Sequence, residues 1–101
     1  MYIKGGNPMI FEWDEHKNRT NKRKHGISFE RVLGIWKDPK RIVLYDEYHS
    51  IEEERWNVIG CAGFVLFVVY VEKGDGCIRL ISARKANNEE VKRYYRDYDL
   101  R

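Results

Sequence analysis

Between Trp13 and Ile27 five cations, Lys17, Arg19, Lys22, Arg23 and Lys24, follow one another with no acid among them. That helix-length run holds no large apolar residue. A surface helix normally turns an apolar stripe to the core, and one that is polar all round is solvated, marginal or put to use. Clustered positive charge of this kind suits phosphate. Proton transfer near neutral pH falls naturally to histidine, and the chain has His16, His25 and His49. His49 lies close in sequence to Glu54 and Arg55 and is the first choice for such a role, against the alternative of an ordinary loop histidine. His25 stands just before Gly26, where the negative end of a helix dipole favours its cation; it serves phosphate or merely caps the helix. His16 reads as a surface residue. The histidines are scattered and the carboxylates lack ligand spacing, so no metal site and no cofactor are expected.

Those residues need a scaffold, and 101 residues provide one domain. Hydrophobic content of 43% and aromatic content of 14% suit a small packed core. The net charge of +3 permits a nucleic-acid partner without demanding one. Cys61 and Cys77 are too few for a disulfide framework and read as thiols in a reducing cytoplasm. The longest apolar run, Phe64 to Val71, is strand length, so no membrane span is expected. Residues 1–8 read as an extension before Met9, with 9–101 as the folded domain.

Ile10 to Trp13 reads as a short strand. Asp14 then caps the polar helix and Gly26 stops it. Ser28 caps a second helix whose Phe29, Val32, Leu33 and Trp36 follow core spacing, ended by Asp38-Pro39. Strands follow at Arg41–Tyr45, Arg55–Cys61, Phe64–Glu72 and Cys77–Ala83, with a turn at Lys73-Gly74-Asp75-Gly76. Asn87 caps a third helix through an approximate capping box with Glu90, and Val91, Tyr94, Tyr95 and Tyr98 fall at helical spacing. The expected fold is α+β, β-α-α-β-β-β-β-α, with a small antiparallel sheet and two N-terminal helices on one face. The period of two puts Arg79, Ile81 and Ala83 on one face of the last strand and Leu80, Ser82 and Arg84 on the other. It also groups Arg55, Asn57 and Ile59. Arg55 and Arg79 thus point into a cleft away from the helices. The plain alternatives are a solvated strand residue for Arg79 and a helix-capping or salt-bridge residue for Arg84. Trp36 is expected in the core, while Tyr98 is freer to stack on a base.

The segments FEWDEHK, with KHG and SF behind it (Phe11–Phe29), then Asp38-Pro39, Glu54-Arg55, Ile59-Gly60 and RLISARKA (Arg79–Ala86), resemble the BrnT family of bacterial toxins. The likeness runs from about Phe11 to the third helix; Lys73 and Gly76-Cys77 depart from the family pattern only conservatively or within a turn. The resemblance implies a RelE-like fold and a type II toxin–antitoxin endoribonuclease acting on RNA in the cytoplasm. It also implies a BrnA-like ribbon-helix-helix antitoxin, through which alone operator DNA would be bound and transcription autoregulated. RNA cleavage without a metal needs a base for the 2′-hydroxyl, an acid for the leaving oxygen and cations for the transition state. Arginine suits the last task, because its fork matches phosphate oxygens and keeps its charge. Arg79, Arg55, His49, Arg84 and Glu54 are the catalytic candidates. Glu54 would orient Arg55 or act as base, unless the Glu52–Glu54 run is simply solvated. Lys17, Asn21, Lys24 and His25, one stripe of the first helix, are the RNA- or phosphate-binding candidates, with Asn21 alternatively satisfying buried backbone. A non-catalytic nucleic-acid-binding module, or a regulatory subunit that only holds an antitoxin, remains the competing reading.

Overall fold

Helix α1 (Glu15–His25) begins and ends where its capping residues dictate. The Asp14 carboxylate accepts from the N–H groups of His16 and Lys17, and Gly26 turns left-handed at φ 73° to end the helix. The computed structural model describes residues 2–4 and 7–97, with side chains from residue 9 onward. Tyr98 and the chain end lie outside the described residues. Strands β1 (Tyr2–Lys4) and β2 (Asn7–Glu12) precede α1, so part of the segment set aside as an extension is paired strand. Helix α2 (Phe29–Val32) follows, capped by Ser28, and tightens at once into a 3-10 helix over Leu33–Lys37. Three residues per turn set Val32 and Ile35 in line. Ile35 and Trp36 are therefore buried while Leu33 is only half-buried, which shifts the expected stripe. The tight segment lies on Gly60, where an added Cβ would come within 3.0 Å of the Ile35 Cβ.

Strands β3 (Ile42–Tyr45), β4 (Trp56–Ala62), β5 (Phe64–Glu72) and β6 (Cys77–Lys85) form an antiparallel run, and α3 (Asn88–Arg96) closes the described chain. The sheet order is β1-β2-β6-β5-β4-β3. It is a mixed sheet rather than the antiparallel one expected, because β2 pairs parallel with β6. No hairpin ties β2 to β6, so hairpin counting says nothing about its direction. The inner face carries Val58, Leu66, Val68, Tyr70, Ile78, Leu80 and Ala83 against Phe29, Val32, Ile35 and Trp36. Edge-to-face contacts continue the packing from Phe11 to Trp36 (5.0 Å) and from Trp36 to Tyr70 (5.3 Å). On α3 the expected capping box is present, and Tyr94 is buried with its hydroxyl donating to Asp38.

Helix α1 has no apolar face to bury and docks by hydrogen bonds instead. Pairing of β2 with β6 stops at Glu12–Arg79, which frees the next stretch of the β6 edge. Asn21 fills it like a short strand: its Oδ1 accepts from the Ala83 N–H (3.0 Å), and its Nδ2 donates to the Ala83 carbonyl (2.7 Å). The same Nδ2 donates to the Ile27 carbonyl. Asn18 performs a second task, accepting from the Phe29 N–H at the start of α2 and donating to Glu15 and Glu30.

Candidate active site

A break in the pleat decides which side chains meet on the outer face. Along β5 and β6, Val69 stands opposite Ser82 and Tyr70 opposite Leu80, which leaves Ile81 as an extra residue in a bulge. One extra residue reverses the alternation beyond it. Ala83 therefore joins Ile78 and Leu80 in the core, and Arg84 moves to the face that carries Arg79. The expected separation of those two arginines onto opposite faces is corrected by that bulge. Sequence alternation alone could not register it.

The outer face then reads in rows. Val71 stands opposite Arg79; Asn57, Val69 and Ser82 lie side by side in the next row; Ile59, Phe67 and Arg84 form the row beyond. A cavity of about 350 Å³ opens here, lined by Asp46, His49, Arg55, Asn57, Phe67, Val69, Ile81, Ser82 and Arg84. It gathers three of the expected catalytic residues, His49, Arg55 and Arg84. Arg79 lines a separate cavity with Glu12, Trp13, Asp14 and Lys73. Glu54 is exposed and lines neither cavity.

Sequence reasoning missed Asp46. Its carboxylate, buried to 8% exposure, receives His49 Nδ1 at 3.0 Å from each oxygen. With Nδ1 turned to the carboxylate, Nε2 is the ring nitrogen that Asp46 leaves open. The loop is braced for this: Asp46 N–H donates to the Arg55 carbonyl, the Ser50 hydroxyl donates to the Asp46 carbonyl, and Arg55 N–H donates back to Ser50. An aspartate three residues before a histidine was the available signal, masked because the surrounding loop reads as merely polar.

Arg84 is held from two sides. Its guanidinium makes a bidentate pair with Glu90 (2.8 and 2.9 Å) and lies 4.2 Å from the Phe67 ring centroid. Burial pushes the Glu90 carboxyl up, but the bonds from Arg84 and from the Asn87 N–H outweigh it and hold it below the usual carboxylate range. The salt-bridge role foreseen for Arg84 is thus present, and the same side chain faces the cavity. On α1, Asn21 is buried and its amide is spent on Ile27 and Ala83, so it has the backbone-satisfying role and not the phosphate-facing one. Lys17, Lys24 and His25 are exposed. Asn18 and Lys22 turn toward Ser28 and Glu30 of the α2 segment, so helical spacing sets Lys17 and Lys24 on the other flank. Since α2 covers the inner face, that flank is on the side of Arg84.

Among the described residues, no group of three or more potential metal ligands comes together, and no helix is long and apolar enough to cross a membrane.

Comparison with known proteins agrees with this architecture. The sequence profile of a family described as "Ribonuclease toxin, BrnT, of type II toxin-antitoxin system" matches residues 13–90. The crystal structure of the Brucella abortus ribonuclease toxin BrnT superposes with a TM-score of 0.66 at 25% sequence identity. That match covers 80% of this chain and all of the Brucella chain. No protein of curated function matches the sequence significantly.

Proposed function

Since the chain belongs to the BrnT family of type II toxin–antitoxin ribonuclease toxins, we propose that it cuts RNA internally at the Asp46–His49–Arg55–Arg84 cavity, without a metal. The observation that carries this reading is the imidazole held by a buried carboxylate in the same cavity as two arginines. In the reaction, His49 Nε2 takes the proton of a ribose 2′-hydroxyl, and the freed oxygen attacks the adjacent phosphorus. The P–O5′ bond breaks, water supplies a proton to the departing 5′-oxygen, and a 2′,3′-cyclic phosphate remains. Arg55 and Arg84 balance the charge that gathers on the non-bridging oxygens. Arg84 can do this without further ordering, because Glu90 and Phe67 already hold it in place. Lys17 and Lys24 supply a positive rim for the strand, with His25 at the helix end, and Arg79 contacts a neighbouring phosphate. Glu54 is not assigned to the reaction.

In the cell, the reading places the protein in a RelE-like class of toxins, restrained by a BrnA-like ribbon-helix-helix antitoxin that carries the pair to operator DNA. The test uses purified protein, an RNA, the same RNA with 2′-deoxy substitutions, and excess chelator. Cleavage should persist in chelator, stop where the 2′-hydroxyl is missing, and leave cyclic phosphate ends. Loss of His49 as alanine should slow it about 10²–10⁴-fold, and Arg84→Ala about 10²–10³-fold by analogy with removing one charge-stabilising donor. Intact RNA with wild-type protein would overturn the reading in favour of a non-catalytic binding module.

A further inference from the structure

Among the described residues, no strand pairs with the outer side of β3, which ends the sheet. Val43 and Tyr45 lie on the same face as the core residue Val58, yet they are 46% and 43% exposed. Trp56, edge-to-face with Tyr45 at 5.1 Å, extends this apolar patch. Edge strands are commonly blunted by a charge or a proline, and Ile42–Tyr45 contains neither. The direction of the free backbone groups follows from the pairing with β4. Asp46 N–H donates to the carbonyl of Arg55 directly opposite, so by alternation Leu44 and Ile42 also bond to β4. Val43 and Tyr45 therefore turn their N–H and C=O groups outward, to the free edge.

The charges around the strand narrow what fits there. Lys40 and Arg41 precede the apolar run, and Asp46 and Glu47 follow it. We propose that the occupant is a second copy of this chain, with the two β3 strands antiparallel about a twofold axis at Leu44. In that register Val43 of each copy stands opposite Tyr45 of the other. Their outward groups exchange both backbone hydrogen bonds, and their side chains meet on one face. Arg41 stands opposite Glu47, an exposed carboxylate; its guanidinium bonds the Asp38 carbonyl through one nitrogen and keeps further donors. Ile42 falls opposite Asp46, whose carboxylate is already buried against His49. Neighbouring registers fit worse. An axis at Val43 sets Tyr45 against Arg41, whose N–H is taken by the Asp38 carbonyl. An axis at Tyr45 sets Val43 against Glu47, which has left the strand for a 3-10 turn. Parallel pairing would set like charges together. A foreign strand must bring the charge order of its own, whereas a second copy supplies it by symmetry, and the contact closes at two copies. Four residues a side bury less than the roughly 1,200–2,000 Å² of a stable interface, so the dissociation constant should be on the order of 10–100 μM. The inference stands apart from the proposed RNA cleavage.

Sedimentation equilibrium from about 1 μM to about 1 mM spans that constant and should show monomer passing to dimer. Val43→Lys sets a charge in the apolar pair and should raise the dissociation constant about 10-fold or more. Glu47→Lys turns each ion pair into a repulsion and should raise it about 3- to 10-fold at low salt. Both positions are exposed, and unchanged circular dichroism shows that the variants fold. Cross-linking reads the register. Leu44→Cys brings two thiols across the axis with Cα atoms about 4.5 Å apart, within disulfide reach, and should oxidise to a covalent dimer. Ile42→Cys keeps its thiols far beyond that reach and should behave like wild type, which carries only Cys61 and Cys77. A wild-type chain still monomeric at about 1 mM overturns the proposal and leaves the edge to a foreign strand. So does a dimer that either charge substitution fails to weaken, or a Leu44→Cys chain that cross-links no better than Ile42→Cys.

Discussion

Two consecutive helices attach to the same sheet by opposite means. The α2 segment sinks Phe29, Val32, Ile35 and Trp36 into the core, each 4% exposed or less. Helix α1 buries only Asn18 and Asn21. Apolar burial is non-directional and tolerates sliding, whereas an amide paired with both groups of one peptide sets position to within a hydrogen bond. The difference shows how a helix can be kept cationic around its outer surface and still be fixed. An apolar stripe on α1 would have displaced part of the set Lys17, Arg19, Lys22, Arg23 and Lys24. The amides need only two positions.

The largest effects should come from the apolar attachment. Phe29→Ala removes a fully buried ring that also meets Trp13 edge-to-face at 6.1 Å, and should cost about 3–5 kcal/mol of unfolding free energy in urea titrations. A cost below about 1 kcal/mol would show that α2 is not the principal anchor. Asn21→Ala comes next. It leaves the Ala83 N–H and the Ala83 and Ile27 carbonyls without their partner, and should cost about 2–3 kcal/mol by the same measurement. Asn21→Leu sharpens the comparison, since it adds apolar area while leaving the same backbone groups unpaired. It should be no more stable than Asn21→Ala. If leucine restored wild-type stability, the two attachments would be interchangeable and the contrast would fail.

The legible parts of this chain are those governed by local rules. Asp14, Gly26, Ser28 and Asn87 mark helix ends through their own side chains or backbone freedom, and each end falls where expected. The β5–β6 turn and the burial of Trp36 follow from equally local signals. What escaped was set by tertiary register. The bulge at Ile81 depends on how β5 and β6 meet, and it alone carries Arg84 onto the outer face. The parallel partnership of β2 and β6 joins segments far apart in the chain. Asn21 was read with the lysines of its stripe because helical spacing gives direction around the axis but not what stands opposite. Asp46 went unnoticed for a related reason: its value comes from burial, and an acidic loop gives no sign of which carboxylate will be covered. Family resemblance grouped Arg79 with His49, Arg55 and Arg84, whereas the cavity gathers the last three and sets Arg79 in a separate one.

The smallest predicted effect tests whether the polar attachment extends to α2. Glu30 receives the Asn18 amide at 2.8 Å, and that bond, with one from its own N–H, holds its carboxyl below the usual range. A carboxyl whose pKa is lower in the folded than in the unfolded chain stabilises the fold above the unfolded value, and that contribution is lost as pH falls through the folded one. Glu30 is exposed, so the effect should be a few tenths of a kcal/mol, as for other solvent-screened charge interactions. Glu30→Gln keeps an oxygen for Asn18 but removes the charge. At pH 7 it should unfold slightly more easily than wild type, and the gap should close as pH falls below the ordinary glutamate value of 4.5. A gap that stayed constant from pH 7 to the acid limb would mean that the charge adds nothing. Asn18 would then join the helices through ordinary hydrogen bonds to residue 30 and from the Phe29 N–H, and the polar attachment would be that of two neutral amides.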